Sequence, residues 1–315
     1  MNRTLRGYGL VLLGATLWAS MGLFYKHLIG HYGLTPMTIV FFRTLLTMLV
    51  LFAAHAVAWA ARGHKGRIFP TITSRRDLTR LALFGLFGVA LFYNVYATAV
   101  DLTGVGMAAV LMYTAPAWVN VFAALFMGEA LTRYKAAAVG LAFVGAALVA
   151  RVYEPEVLRL NPLGILFGLG AGLTYGMYTM LSKINLRRHS SWTVVSFSLF
   201  FGLLFMLPVQ DFGALAEATD SPETMLWLSA LALGPTLMGG VSFHAGLSQV
   251  PASNAIIVAT LEPVIATLLG WLILGEVLGW PQIIGGALVL GAVLLLRRTP
   301  GGKIQTSERI LEIDR

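Results

Sequence analysis

The sequence predicts an all-α polytopic membrane protein: ten transmembrane helices arranged as two inverted five-helix repeats. Three observations lead there. The first is composition. Of 315 residues, 57% are hydrophobic and 11% are charged, against roughly 25% charged in a soluble domain. Mean hydropathy is +0.79. So few polar groups cannot cover a water-soluble globule, which excludes a soluble enzyme, a nucleic-acid module and a disordered chain. The second is a series of ten apolar segments, each near the roughly 20 residues that a bilayer-spanning helix needs. The third is that parts of these segments recur at a fixed offset.

The segments run 8–27, 36–61, 78–100, 104–127, 133–150, 161–182, 191–209, 225–246, 251–274 and 280–296. The first follows Arg3 and Arg6 like a signal peptide, but its length, Trp18, Tyr25 and the lack of a small-residue cleavage site mark a retained helix. The second holds Arg43 and His55. The third holds Tyr93, Asn94 and Tyr96, and the fourth Tyr113, Pro116 and Trp118. The sixth carries Gly164, Gly168, Gly172 and Gly176 at intervals of four, a ridge for close helix approach. The eighth carries His244, and the ninth carries Asn254, Glu262 and Pro263.

Charge orients the segments. Eighteen Lys and Arg fall on one side of such a bundle and three, Lys26, Arg151 and Arg159, on the other, with Arg43 inside a helix. By the positive-inside rule both termini are cytoplasmic, which requires an even number of spans. The net charge of +8 then belongs to cytoplasmic loops rather than to a nucleic-acid interface. The basic stretch Arg62 to Arg80 is such a loop, placed to touch anionic headgroups. The acidic loop with Asp211, Glu217, Asp220 and Glu223 faces outward. The absence of cysteine excludes disulfides and thiol chemistry.

A shift of 147 residues lays Pro116 on Pro263, Gly128-Glu129 on Gly275-Glu276 and Leu131 on Leu278. Gly14-Ala15 with Trp18 matches Gly170-Ala171 with Tyr175, one residue out of register. The chain therefore divides into repeats at 1–150 and 151–297, followed by a cytoplasmic tail, 298–315. Five spans is an odd number, so the second copy enters the bilayer inverted, an architecture that recurs in secondary transporters.

Several runs carry a family resemblance: Val250-Pro251-Ala252-Ser253, Leu261-Glu262-Pro263-Val264 and Leu274-Gly275-Glu276, with Phe42-Arg43, Tyr113-Thr114-Ala115-Pro116 and Gly128-Glu129-Ala130-Leu131 in the first half. Together they resemble EamA-type proteins of the drug/metabolite transporter superfamily over residues 8 to 297. The resemblance implies two EamA domains, a central cavity and peripheral fifth and tenth helices. It also implies export of amino acids or related metabolites across a cell (inner) membrane.

Candidate site residues follow from depth. A carboxylate at the bilayer centre is costly and faces a cavity or a partner, which makes Glu262 a proton site or the counter-ion of a substrate ammonium. Arg43 is a candidate for a substrate carboxylate, unless it pairs with Glu262. Pro116 and Pro263 lack an N–H and leave the carbonyls of Met112 and Ala259 free, for binding or for gating. Trp18, Tyr93, Tyr96, Tyr113, Trp118, Tyr175 and Tyr178, with Asn94 and Asn254, lie away from the interfacial belts where rings usually sit. They suggest an aromatic-lined pocket suited to amphiphilic or cationic substrates. His244 is a candidate for binding or proton coupling. Glu129 and Glu276 read as structural helix-terminus residues. No cofactor or metal is expected. The sequence lacks Walker, H-E-x-x-H and G-x-S-x-G motifs. An alternating-access carrier of a small molecule, with protons as a second partner, is favoured over an intramembrane enzyme. Amines, sugars or drugs are the alternative substrates.

Overall fold

The computed structural model of the chain describes residues 3–61, 74–155 and 161–296. The tail 298–315, Arg159 and the part of the basic loop at 62–73 lie outside them. Within the described residues the fold is all helical. Eight helices are long and apolar enough to cross a bilayer: α1 (Arg3–Tyr32), α2 (Pro36–Ala61), α3 (Arg75–Thr103), α4 (Val105–Met127), α6 (Pro162–Asn185), α7 (Ser191–Val209), α8 (Pro222–Leu247) and α9 (Ala252–Leu274). Two shorter ones complete the series, α5 (Arg133–Val149) and α10 (Trp280–Leu295). At 1.5 Å per residue their 17 and 16 residues reach about 25 Å, less than the roughly 30 Å hydrocarbon core. The sequence expectation of ten full spans is thus met by eight helices of spanning length and two that fall short.

Local chemistry sets the ends. Ser74, Thr132, Asn161, Ser190 and Ser221 each accept a backbone N–H of the helix that follows. Gly33, Gly128 and Gly275 end helices in the left-handed conformation at φ of 66°, 67° and 68°, where a Cβ would be strained.

Matching backbone features recur at the 147-residue offset. α4 breaks at Tyr113–Thr114 and α9 at Thr260–Leu261, each two residues before a helix restart with proline in its first turn. The proline carbonyls accept from side chains one turn on: Asn120 Nδ2 to Pro116 O at 2.8 Å, and Thr267 Oγ1 to Pro263 O at 2.9 Å. After the breaks, Glu129 N–H donates to Ala123 O at 3.1 Å and Glu276 N–H to Gly270 O at 3.3 Å, again 147 residues apart. α3 and α8 each contain a π-helical stretch, Phe84–Leu91 and Ala232–Gly239. In α8 the cause is Pro235: it has no N–H to give, and the Thr236 hydroxyl bonds Leu231 O at 3.0 Å instead.

Glycines bring the helices together. A Cβ on Gly145 would stand 2.6 Å from Gly285 O, and one on Gly285 2.6 Å from Gly145 O, so α5 and α10 touch backbone to backbone. Gly7 and Gly246 do the same between α1 and α8. The α6 ridge meets Leu102 and Thr103 at Gly164, Leu111 at Gly168, Thr114 at Gly172 and Trp118 at Gly176. The second half of α4 packs on the first half of α9. The core lies where α1, α3, α4, α6, α8 and α9 converge, around Val11, Phe84, Tyr113, Tyr175, Phe243 and Ile256. Large apolar side chains on α9, on α10 and in the corner between them point outward, among them Leu272, Val277 and Trp280, as a lipid-facing surface requires.

Replacing Gly145 by Ala is expected to lower the thermal midpoint in detergent, at a cost of about 1–3 kcal/mol for overpacking. Gly140→Ala on the same helix meets nothing within 4 Å and should leave the midpoint unchanged. Equal effects of the two would refute the packing role.

Candidate functional site

Arg43 is 6% exposed in the middle of the bundle. Its guanidinium lies over the Tyr93 ring, 4.4 Å from the centroid, and Nη1 approaches Met21 Sδ at 3.3 Å. Tyr25 and Tyr178 stand within electrostatic reach. Nε is buried without a partner. An arginine held by a π-face and a thioether is oriented but not neutralised.

Glu262 opens the restarted half of α9 as its first helical residue. The positive end of that half-helix favours a carboxylate there. The side chain sits deep among protein atoms yet remains partly accessible, as it does when it lines an internal space. The phenols of Tyr96, Tyr113 and Tyr175 surround it within electrostatic reach. Arg43 also feels Glu262, but no ion pair within 4.0 Å joins them among the described residues. The two are separate charged poles of one tyrosine-lined centre.

The other residues singled out in the sequence divide. Trp18 packs on Phe243 at 4.8 Å and edge-on to Tyr178 at 6.4 Å, and Tyr175 stacks on Phe92 at 5.2 Å with its hydroxyl buried and unpartnered. Both belong to the centre. Asn94 spends its amide on Ala90 O of its own helix at 2.7 Å. His244 is committed on both nitrogens, Nδ1 to Gly240 O at 2.6 Å and Nε2 to Ser182 Oγ at 3.0 Å. Donation to the carbonyl leaves Nε2 to accept from serine, so His244 ties α8 to α6 with no nitrogen left for a ligand. Trp118 is at the surface against Phe122. Pro116 and Pro263 sit at the two breaks, and the carbonyls of Met112 and Ala259 accept no hydrogen bond among the described residues. Asn254 donates to Tyr8 Oη at 2.7 Å.

Two groups hold more than the sequence reading named. Tyr25 looks like an interfacial aromatic near a helix end. Its signal was the stripe Trp18, Met21, Tyr25, which places all three on one face of α1. The second group is the pair of Gly-Glu corners, which differ in their partners. Glu129 accepts from Ala252 N–H at 2.9 Å and from the Ser253 hydroxyl, and pairs with Lys135 at 3.2 Å. Beside it, Lys183 donates to the carbonyls of Leu247 and Val250 at 2.5 and 2.6 Å. Glu276, beyond the far end of α9, pairs among the described residues with Lys26 alone, at 2.8 Å, with the lysine 62% and the glutamate 51% exposed. Exposed pairs contribute about 0–1 kcal/mol, so this end is held more weakly.

A polar concavity of about 400 Å³ lies apart from this centre, between Arg3, Arg6, Ser248 and Gln249. Among the described residues no group of three or more His, Asp and Glu is placed to hold a metal.

The EamA-like transporter family matches residues 5–151 and 162–298. An uncharacterized transporter of Archaeoglobus fulgidus is 34% identical over 226 residues, covering 71% of this chain and 77% of that one. The inner membrane transporter YicL of Salmonella typhimurium is 21% identical over 94% of this chain and 96% of its own. A "probable terminal-alkyne amino-acid exporter" of Streptantibioticus cattleyicolor is 27% identical over 74% of this chain and 77% of its own. A crystal structure with 20% sequence identity superposes with a TM-score of 0.68, covering 94% of this chain and 97% of that one, a likeness of fold. The family matches both halves of the chain in turn and takes in the helices that carry Arg43 and Glu262: the chain belongs to the EamA-like transporter family.

Proposed function

We propose that the protein exports amino acids or closely related small metabolites by alternating access around the Arg43–Glu262 centre. The observation that carries this reading is a deep carboxylate with no counter-charge of a described residue within ion-pair distance, half open among tyrosines. Such a charge cannot cross apolar surroundings bare. A substrate ammonium neutralises it in one direction and a proton in the other, which amounts to exchange of an outgoing substrate for an incoming proton. The amino-acid exporter of Streptantibioticus cattleyicolor supports the substrate class. Amines, sugars and drugs are the competing cargoes. The relatives named above are transporters, which favours a carrier over an intramembrane enzyme.

In this reading α5 and α10 complete ten membrane helices, and 1–150 and 151–297 are inverted repeats in an inner membrane with both termini cytoplasmic. The matched breaks in α4 and α9, and the packing of late α4 on early α9, support inversion. The corners at Glu129 and Glu276 then lie at the cytoplasmic and outer ends. They act as unequal latches, the inner one firmer in this conformation, and the unbonded carbonyls of Met112 and Ala259 mark the points where the helices flex.

Three measurements follow. In proteoliposomes loaded with single unlabelled amino acids, labelled amino acid should accumulate by counterflow. Glu262→Gln should reduce that signal by at least about tenfold and abolish its pH dependence while the protein elutes as a folded species; an unaltered pH profile would remove Glu262 from coupling. The chain has no cysteine, so single cysteines report topology cleanly. An impermeant maleimide should label Thr219→Cys in intact cells and Ser248→Cys only after permeabilisation, and the reverse pattern would invert the proposed orientation. Glu129→Gln loses charge-assisted hydrogen bonds of about 1.5–3 kcal/mol each, so it should shift the inward–outward balance, read as cysteine accessibility at position 248. Glu276→Gln should shift it much less. Equal shifts would show that the latches are equivalent.

A further inference from the structure

Arg43 and Glu262 break the duplication. At the offset that lays Pro116 on Pro263, Ala115 stands where Glu262 stands. The starts of α2 and α7 also correspond. The hydroxyls of Thr35 and Thr38 pair at 2.9 Å, as do those of Ser190 and Thr193. At that offset of 155, Ser198 stands where Arg43 stands. The proline breaks and the left-handed glycines at Gly128 and Gly275 occur in both halves. Each deep charge occurs once, so neither is demanded by the shared architecture.

The surroundings of the two charges are complementary. Arg43 is held by Tyr93 and Met21, neither of them an anion, and has a buried, unpartnered Nε. Glu262 has no cation within ion-pair distance and no hydrogen bond from a described residue. Tyr25 beside Arg43 is electrostatically coupled to Tyr96 beside Glu262, and Tyr93 to Tyr175 in the same way. Tyrosines thus stand within electrostatic reach of both poles, and the Tyr175 hydroxyl among them is buried and unpartnered. Buried charges of opposite sign that do not meet leave a site for a ligand carrying both opposite charges.

We infer that Arg43 and Glu262 grip the two ends of one zwitterion, the guanidinium taking an α-carboxylate and the carboxylate taking the α-ammonium, so that the protein selects free amino acids over amines, amides and N-acylated derivatives. The inference rests on the carrier reading above and adds its selectivity rule. A ligand that lacks either end leaves one pole buried and unpaired, and such losses cost at least roughly tenfold in affinity.

The test is counterflow with leucine and phenylalanine, competed by unlabelled leucinamide, N-acetylleucine, phenethylamine and glucose. The wild-type protein should be inhibited by the two amino acids and at least tenfold more weakly by the amide, the N-acetyl compound and the amine. Arg43→Gln should abolish the preference for leucine over leucinamide and keep that over N-acetylleucine; Glu262→Gln should do the reverse, and Arg43→Lys should keep a preference for the carboxylate. Wild-type protein that carries phenethylamine or leucinamide as readily as leucine would overturn the clamp and leave the carrier reading intact, as would variants that lose all preferences in equal proportion. Absence of counterflow for every probe would overturn both. The wild-type competition series decides the matter by itself if a variant fails to fold.

Discussion

In a bilayer every backbone polar group must find its partner within the protein, and the structure depends on the two places where that rule is relaxed. The breaks at Tyr113–Thr114 and Thr260–Leu261 each create a new helix N-terminus deep in the core. At such a terminus N–H groups point the positive end of the half-helix inward. In the second copy Glu262 occupies its first helical position. A carboxylate that would be prohibitive in an unbroken apolar helix is tolerated there, and it remains without a protein counter-ion. In the first copy the same position is Ala115, and the break is only a break. One backbone irregularity, used twice, yields a charged site once.

The close glycine contacts follow from the same constraint. Bilayer helices have little hydrophobic drive to associate, because lipid is as apolar as leucine, so they are held by packing of small residues. Gly7 with Gly246 and Gly145 with Gly285 bring backbones into contact at the rim, and the α6 ridge presses against α3 and α4 near the centre. Rim contacts this tight leave the least regular backbone elsewhere: at the two breaks, in the π-helical stretches of α3 and α8, and at the ends of the bundle. The ends differ in strength: a buried network around Glu129 faces a single solvent-exposed pair at Glu276.

The sequence shows the scaffold more clearly than the site, for physical reasons. Apolar length marks the helices, and α5 and α10 start at the residues the apolar pattern gives, although their 17 and 16 residues are shorter than the other eight. Proline and glycine report backbone geometry directly, so the breaks at Pro116 and Pro263 and the corners at Gly128 and Gly275 lie where a reading of residues puts them. The π-helical stretch at Phe84–Leu91 has no proline and leaves no comparable mark. Side-chain destinations are harder to read, since a polar residue in a helix can bond its own backbone or its neighbour. Asn94 and His244 do so and give up their apparent availability. Arg43 and Glu262, which depth alone left as possible partners, stay apart. Tyr25 joins Arg43 only because α1 and α2 are brought together by tertiary packing that no local pattern displays.

The contrast between duplicated and unduplicated residues separates mechanics from recognition. Backbone features recur in pairs: the proline breaks, the left-handed corners at Gly128 and Gly275, and the π-helical stretches. A perfectly symmetric pair of charges would put like beside like near the axis, two carboxylates or two guanidiniums, and would suit a ligand with two identical ends. One carboxylate and one guanidinium give the centre a direction across the bundle. Under the proposed clamp, a ligand with unlike ends binds in one orientation only. Its pose in that clamp rests on one residue from each half of the chain, Arg43 and Glu262.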